Sequence, residues 1–262
     1  MKILLTRPLE HTENSAARLA AAGLSAVILP LLRYVPVDED AIPKRIFDAV
    51  IFTSAAAPGI LIGRSDFSLA EITNSNRAYC VGSTTAAAAV AAGFEAVVPD
   101  RADTGGLIAA LRDDISGGRL PARPLLLHAS GRDISSDLAP SLPEVELARI
   151  VIYEAQPVDP GRDRLAAALD EAANGAVFLY SPRSAGQIAH LCEKYDLVER
   201  LCGLTMVGIS EKVAQTMPKW PNAHIVVAER PDEASMIAAL SAATGVGSIR
   251  GLDRTNDLEQ RS

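Results

Sequence analysis

Val50-Ile51-Phe52-Thr53-Ser54 and Val177-Phe178-Leu179-Tyr180-Ser181 are the two stretches on which the fold of this chain turns. Each is a short apolar run that ends on a small hydroxyl residue, the pattern of a buried strand running into a turn. The first is followed by Cys80-Val81-Gly82, Glu95-Ala96-Val97-Val98 and Gly106-Leu107-Ile108-Ala109-Ala110-Leu111. The second is followed in the same succession by Met206-Val207-Gly208, His224-Ile225-Val226-Val227 and Ser235-Met236-Ile237-Ala238-Ala239-Leu240. The same architecture is therefore written twice, about one domain-length apart.

A second match relates Ile3-Leu4-Leu5-Thr6 to Leu125-Leu126-Leu127-His128, each with a helix and strand after it. The order of the pieces carries the topology. The opening unit, strand and helix and strand to Leu32, lacks its remaining strands, which come only from Val177 onward, whereas the middle of the chain holds a complete set. An inserted domain is the economical explanation. Residues 1–34 and 156–245 then form one discontinuous domain and 37–152 the inserted one, with crossings near Tyr34-Val35-Pro36 and Glu154-Ala155-Gln156-Pro157. Residues 246–262 show no periodicity and are expected to be a disordered tail.

Ten strands are expected: Ile3–Thr6, Ala26–Leu32, Ala49–Thr53, Ala78–Gly82, Ala96–Pro99, Leu125–His128, Leu147–Tyr153, Val177–Tyr180, Thr205–Gly208 and Ile225–Ala228. Ala-rich helical stretches separate them, which predicts two doubly wound α/β domains, each a parallel sheet covered by helices on both faces.

At 262 residues the chain is long enough for two such cores. A net charge of −7 argues against sequence-independent nucleic-acid binding, and aromatics at 4% argue against a stacking surface. Cys80, Cys192 and Cys202 form neither a CxxC pair nor a partnered cluster, so no metal site and no disulfide framework is indicated. The opening MKILLTRP is too short an apolar run for a signal peptide, and no window reaches the length of a membrane span. A cytoplasmic protein is expected, without membrane contact.

No Walker loop, HExxH or GxSxG is present, and Gly245, Gly247 and Gly251 lack the spacing and flanking elements of a dinucleotide fingerprint. Small hydroxyl residues at strand carboxyl ends remain: Thr6-Arg7-Pro8, Thr53-Ser54, Gly82-Ser83-Thr84-Thr85, Ser130-Gly131-Arg132, Ser181-Pro182-Arg183-Ser184 and Gly208-Ile209-Ser210. Singly, each reads as a helix cap. Together on two sheets they offer free backbone N–H groups and positive helix ends to one cleft, a surface suited to carboxylates. Arg7 and Arg132 are either ligand contacts or surface ion-pair residues. His11, His128, His190 and His224 lie scattered and receive no role, and no strong acid or base is expected at the strand ends. Tyr153 closes its strand at the second crossing, where it is either a hydrogen-bond donor facing the cleft, neutral with a phenol pKa of about 10, or a core aromatic with a satisfied hydroxyl.

With these residues in place the sequence resembles the uroporphyrinogen-III synthase family, from Leu5-Thr6-Arg7-Pro8 through Asp48–Ser54, Val81–Ala86 and Val151-Ile152-Tyr153-Glu154 to Leu179-Tyr180-Ser181-Pro182. The resemblance covers the chain to about Leu240. It implies two flavodoxin-like domains joined by a two-stranded linker. It implies cyclisation of hydroxymethylbilane, a linear tetrapyrrole with eight carboxylates, to uroporphyrinogen III, with loss of water, inversion of the last ring and neither metal nor organic cofactor. By the same resemblance Tyr153 is the family's most important tyrosine, Thr85 its threonine after the first Val-Gly turn, and Ser54 and Ser181 its paired strand-end serines. The second Val-Gly turn departs from the family's Thr-Thr pair, reading Gly208-Ile209-Ser210-Glu211-Lys212, so Ser210 is the plausible substitute. The expected ligand set is Arg7, Thr53, Ser54, Thr85, Arg132, Ser181, Ser184 and Ser210, with Tyr153 at the chemistry. A monomer, receiving substrate directly from hydroxymethylbilane synthase, is the expected working form.

Two other classes share these features. A non-catalytic two-domain clamp for a polycarboxylate would use the same turns, as would an enzyme acting on phosphorylated metabolites. Turnover of substrate separates the first from an enzyme, and whole-chain resemblance disfavours the second.

Overall fold

A computed structural model describes residues 1–134 and 136–245. In the first half lie β1 (Lys2–Leu5), α1 (Thr12–Ala21), β2 (Ser25–Ile28), β3 (Leu32–Pro36), β4 (Ala49–Phe52), α2 (Ala57–Ile62), α3 (Leu69–Ile72), β5 (Arg77–Cys80), α4 (Ser83–Ala91), β6 (Glu95–Val97), α5 (Thr104–Ser116) and β7 (Leu125–Gly131). There follow β8 (Glu146–Pro157), α6 (Arg162–Glu171), β9 (Ala176–Leu179), α7 (Pro182–Lys194), α8 (Val198–Cys202), β10 (Thr205–Gly208), α9 (Glu211–Ala214), β11 (His224–Val227) and α10 (Glu233–Thr244). The expected tail, residues 246–262, lies outside the described residues.

The chain divides into two compact units, one of Met1–Arg33 with the chain from Pro157 onward, the other of Tyr34–Gln156. The first unit's sheet is parallel, ordered β2-β1-β9-β10-β11. Counted in that unit's own chain order this is 2-1-3-4-5, the flavodoxin-like arrangement. Alternate side chains feed two apolar layers, as the strand period of two requires. Leu4, Val177 and Met206 pack on Leu165 of α6, Ile188 of α7 and Leu201 of α8. Ile3, Leu5 and Phe178 pack on Leu19 of α1 and Met236 of α10.

In the second unit the order is β3-β8-β7-β4-β5-β6. Val50, Phe52, Leu127 and Ile152 pack on Leu61 of α2 and Ala89 of α4, and Ile51, Tyr79 and Leu126 on Leu107 and Leu111 of α5. Setting β7, β8, β4, β5 and β6 beside β1, β2, β9, β10 and β11 gives both sheets one spatial order, so the repeat holds strand by strand although the chain enters it at a different point. The sheets refine one detail of the match. Leu4 stands opposite Val177, and Leu127 opposite Val50, so the register equates Leu4 with Leu127, one residue beyond the equivalence to Leu126 that sequence similarity gives.

β3 is a strand the sequence pattern does not reveal. Its half-exposed LRYVP carries no apolar alternation, and it forms as the partner of the long β8 at the sheet edge. The crossing segments pair with each other: Val158 N–H donates to Leu31 O and Val37 N–H to Ile152 O, both at 2.9 Å. Because 31 meets 158 while 37 meets 152, they run antiparallel as a two-stranded linker. Arg64 ties down the first of them, donating from Nη2 to Asp40 O at 2.9 Å and from Nη1 to Val37 O at 3.3 Å.

Candidate active site

In an open parallel sheet the place where connections leave in opposite directions opens a crevice at the strand carboxyl ends. In the first unit that place is between β1, which leads to β2 on one side, and β9, which leads to β10 on the other. Thr6-Arg7 and Tyr180-Ser181 emerge there. The Arg7 guanidinium stands 4.2 Å from the centroid of the Tyr180 ring, its Nη1 donates to Ser15 Oγ at 2.9 Å, and it lies 3.6 Å from Glu233 Oε1. Glu233, with its side chain only 4% exposed, also pairs with Arg18 at 3.2 Å and accepts the Tyr180 hydroxyl. Burial, and then the Glu233 charge, push the Tyr180 phenol well above its ordinary range, so it stays a neutral donor. Thr6 Oγ1 and Arg7 Nε are buried there without a hydrogen-bond partner. His11 is held down to about 4 by burial and by Arg7.

Sequence reasoning missed this cluster. It expected no strong acid at the strand ends, yet Glu233 is one, and it arrives from α10, for which the strand pattern holds no signal. Tyr180 was visible as an aromatic at the end of a repeat strand.

Ser181 and Ser184 take the capping role. Ser184 N–H donates to Ser181 Oγ at 3.1 Å and Ser181 N–H to Ser184 Oγ at 3.2 Å, a reciprocal capping box opening the thirteen residues of α7. Ser210 stands at the N-cap of the short α9, and its side chain makes no capping bond.

The equivalent place in the second unit is between β7 and β4. Thr53 Oγ1 meets His128 Nε2 at 3.2 Å. His128 therefore has a partner, contrary to the scattered pattern in the sequence. Burial first, and then the Arg149 charge, hold its pKa down to about 4, so the imidazole is neutral near pH 7. Ser54 Oγ accepts from Ala56 N–H at 3.3 Å. Thr85 lies buried in the first turn of α4, on the neighbouring strand connection, where Gly82 at the N-cap supplies no side-chain cap. Arg132, 40% exposed, is held by Glu154 at 2.9 Å and by Glu39, and these two carboxylates raise its pKa further.

Tyr153 is only 6% exposed and belongs to the apolar layer of Val50 and Phe52. Its ring stands edge-on to Tyr34 at 4.8 Å and covers Gly131 at the end of β7. The fold thus gathers Thr53, Ser54, Arg132, Tyr153 and the unforeseen His128 around one pair of strand ends, with Arg7, Ser181 and Ser184 around the equivalent pair in the other unit. Among the described residues no group of three His, Cys, Asp or Glu side chains could hold a metal ion, and no helix is long and apolar enough to cross a membrane.

The family model of uroporphyrinogen-III synthase HemD matches residues 13–238. The chain belongs to this family. It is accordingly an enzyme of tetrapyrrole biosynthesis. No curated protein matches it significantly. Among solved structures it is similar to uroporphyrinogen-III synthetase of Helicobacter pylori, with 18% identity and a TM-score of 0.55 over 94% of this chain and 99% of that one. It also matches a mutant uroporphyrinogen III synthase of Thermus thermophilus at 15% identity and a TM-score of 0.44, over 94% of this chain and 99% of that one. The first likeness places the fold in both units. Family membership rests on the family model.

Proposed function

We propose that Tyr153 is the group at the chemistry, hydrogen-bonding the departing hydroxyl of hydroxymethylbilane. A hydroxymethylpyrrole ionises readily because its ring nitrogen stabilises the cation, so the hydroxyl leaves as water once it has a proton. The protein then has to assist departure and dictate which carbon attacks. Attack from the substituted carbon of the last ring gives a spiro intermediate, whose fragmentation and reclosure invert that ring; loss of a proton restores aromaticity. Positioning through the substrate's carboxylates supplies the selectivity over simple head-to-tail closure.

The single observation that carries this reading is the burial of the Tyr153 ring against Gly131 at the carboxyl end of the second unit's sheet. A phenol at that place sits among the turns proposed for carboxylate contact: Thr53-Ser54, Thr85 and Arg132. Arg132 would exchange Glu39 or Glu154 for a substrate carboxylate. Exposed ion pairs contribute only about 0–1 kcal/mol, so the exchange costs little. Ser181 and Ser184 would serve by holding the first turn of α7 through their capping box, and Ser210, whose side chain makes no capping bond, through its hydroxyl. Arg7, tied to the buried Glu233, would lend a fixed positive charge. We place the enzyme in the cytoplasm as a monomer working without a cofactor, with hand-over from hydroxymethylbilane synthase.

The test is a coupled reaction in which hydroxymethylbilane made in situ cyclises with and without the purified protein. Separation of the oxidised porphyrins should show the type III isomer with the protein and the type I isomer without it. Type I alone in both would overturn the proposal.

A further inference from the structure

The strand that carries Tyr153 does not run evenly beside its neighbour. β7 and β8 pair residue for residue from Leu125 opposite Glu146 to Ser130 opposite Val151, and then Gly131 stands opposite Tyr153, leaving Ile152 unpaired in that count. A bulge of this kind turns the next side chain to the other face of the sheet. Its effect is visible in the packing, since the consecutive residues Ile152 and Tyr153 both lie in the apolar layer of Val50 and Phe52. Regular alternation would have sent Tyr153 to the opposite layer.

The re-aimed ring needs the space at position 131. A Cβ there would lie 2.6 Å from Tyr153 Cε2, 2.8 Å from Cζ and 3.0 Å from the hydroxyl oxygen. Gly131 is not among the glycines with positive φ, so its backbone would accept alanine; the ring is what excludes it. The turn is also held from outside. Arg149 donates from Nε to Ser130 Oγ at 2.9 Å and from Nη2 to the carbonyls of Gly131 at 2.8 Å and Arg132 at 3.1 Å, while Arg132 N–H donates to Tyr153 O at 2.9 Å.

We propose that Gly131 and Arg149 are positioning residues for the Tyr153 phenol: the glycine opens the seat for the ring and the arginine fixes the bulge that aims it. This rests on the assignment of Tyr153 above. Misplacing a reacting group by about 1 Å costs up to roughly 10²-fold in rate. Gly131→Ala should therefore lower kcat by about 10- to 100-fold with KM nearly unchanged and the circular dichroism spectrum retained. Arg149→Ala, which removes side-chain atoms from the surface, should lower it by about 3- to 10-fold.

The deciding measurement combines each substitution with Tyr153→Phe and reads the initial rate of type III formation. If both residues act through the phenol, Gly131→Ala/Tyr153→Phe and Arg149→Ala/Tyr153→Phe turn over no more slowly than Tyr153→Phe alone, a non-additivity that general loosening of the fold would not produce. Should Gly131→Ala fail to fold, the Arg149 pair decides on the same terms. A slow Tyr153→Phe beside wild-type rates for the positioning variants, or losses that multiply, overturns the positioning proposal and leaves Tyr153 in place. A wild-type rate for Tyr153→Phe overturns the assignment of Tyr153, and the positioning proposal with it.

Discussion

The repeat places Tyr180 of the first unit and Thr53 of the second at the same position, one residue beyond equivalent strands, yet the two ends have opposite chemistry. Tyr180 reaches the buried carboxylate of Glu233, which two arginines share; Thr53 reaches a buried imidazole that is neutral near pH 7. In the first unit the crevice is filled by a charged cluster satisfied largely from within. In the second unit's crevice Thr53 meets a neutral imidazole close to the Arg149 charge, with Arg132 at the exposed margin. Duplicated topology supplied the strand ends twice, and side-chain choice placed a buried charged cluster at one of them and, at the other, the crevice in which we propose that Tyr153 acts. The phenol itself comes from β8, which runs twelve residues where its repeat counterpart β2 has four.

The largest effect that would break this comparison is on turnover. Tyr153→Phe should lower the rate of type III formation by roughly 10²-fold or more, the scale of a positioned proton donor, with the fold retained. Glu233→Gln acts on stability instead. Removing a charge that faces Arg7 and Arg18 should cost about 1–3 kcal/mol in urea unfolding, below the range for fully buried pairs because both arginines retain contact with water. An unfolding midpoint equal to wild type would show that the cluster is no anchor.

Acid tests both units, because His11 in the first is held as low as His128 in the second. The folded protein holds His128 at about 4, below its ordinary 6.5, so the unfolded chain binds the proton first as pH falls. Its contribution, on the order of 3 kcal/mol, is complete above pH 6.5 and is lost as pH falls through 4. Unfolding measured at several pH values between these limits should show a steeper loss for wild type than for His128→Asn, and equal slopes would remove His128 from the account. The smallest effect is at Arg132: Arg132→Ala should raise KM by less than about tenfold with kcat retained, as expected for an exposed contact that exchanges one carboxylate for another.

The duplicated strand runs made most of the architecture legible, because a buried parallel strand needs a continuous apolar run and such runs recur in order. Edges and irregularities were not legible. β3 has half-exposed polar residues, and β7 continues through Ser130-Gly131, which reads as a turn because both residues favour turns. At the site, the hydroxyl residues announced themselves by position, and Ser181 with Ser184 kept the capping role that local sequence gives them. Glu233 and Arg149 could not be found that way. Glu233 comes from α10, far along the chain, and Arg149 acts through a bulge whose existence depends on how β7 and β8 pair.

The most direct test of the central claim, that the second unit's strand ends hold the chemistry and the first unit's hold the fold, compares Tyr153→Phe with Tyr180→Phe in the coupled assay with isomer separation. Tyr153→Phe is expected to lose roughly 10²-fold in type III formation with the fold retained. Tyr180→Phe, which removes the donor to Glu233, should keep turnover within a few-fold and lose about 1–3 kcal/mol of stability. The reverse pattern, a fully active Tyr153→Phe beside an inactive but stable Tyr180→Phe, would contradict it.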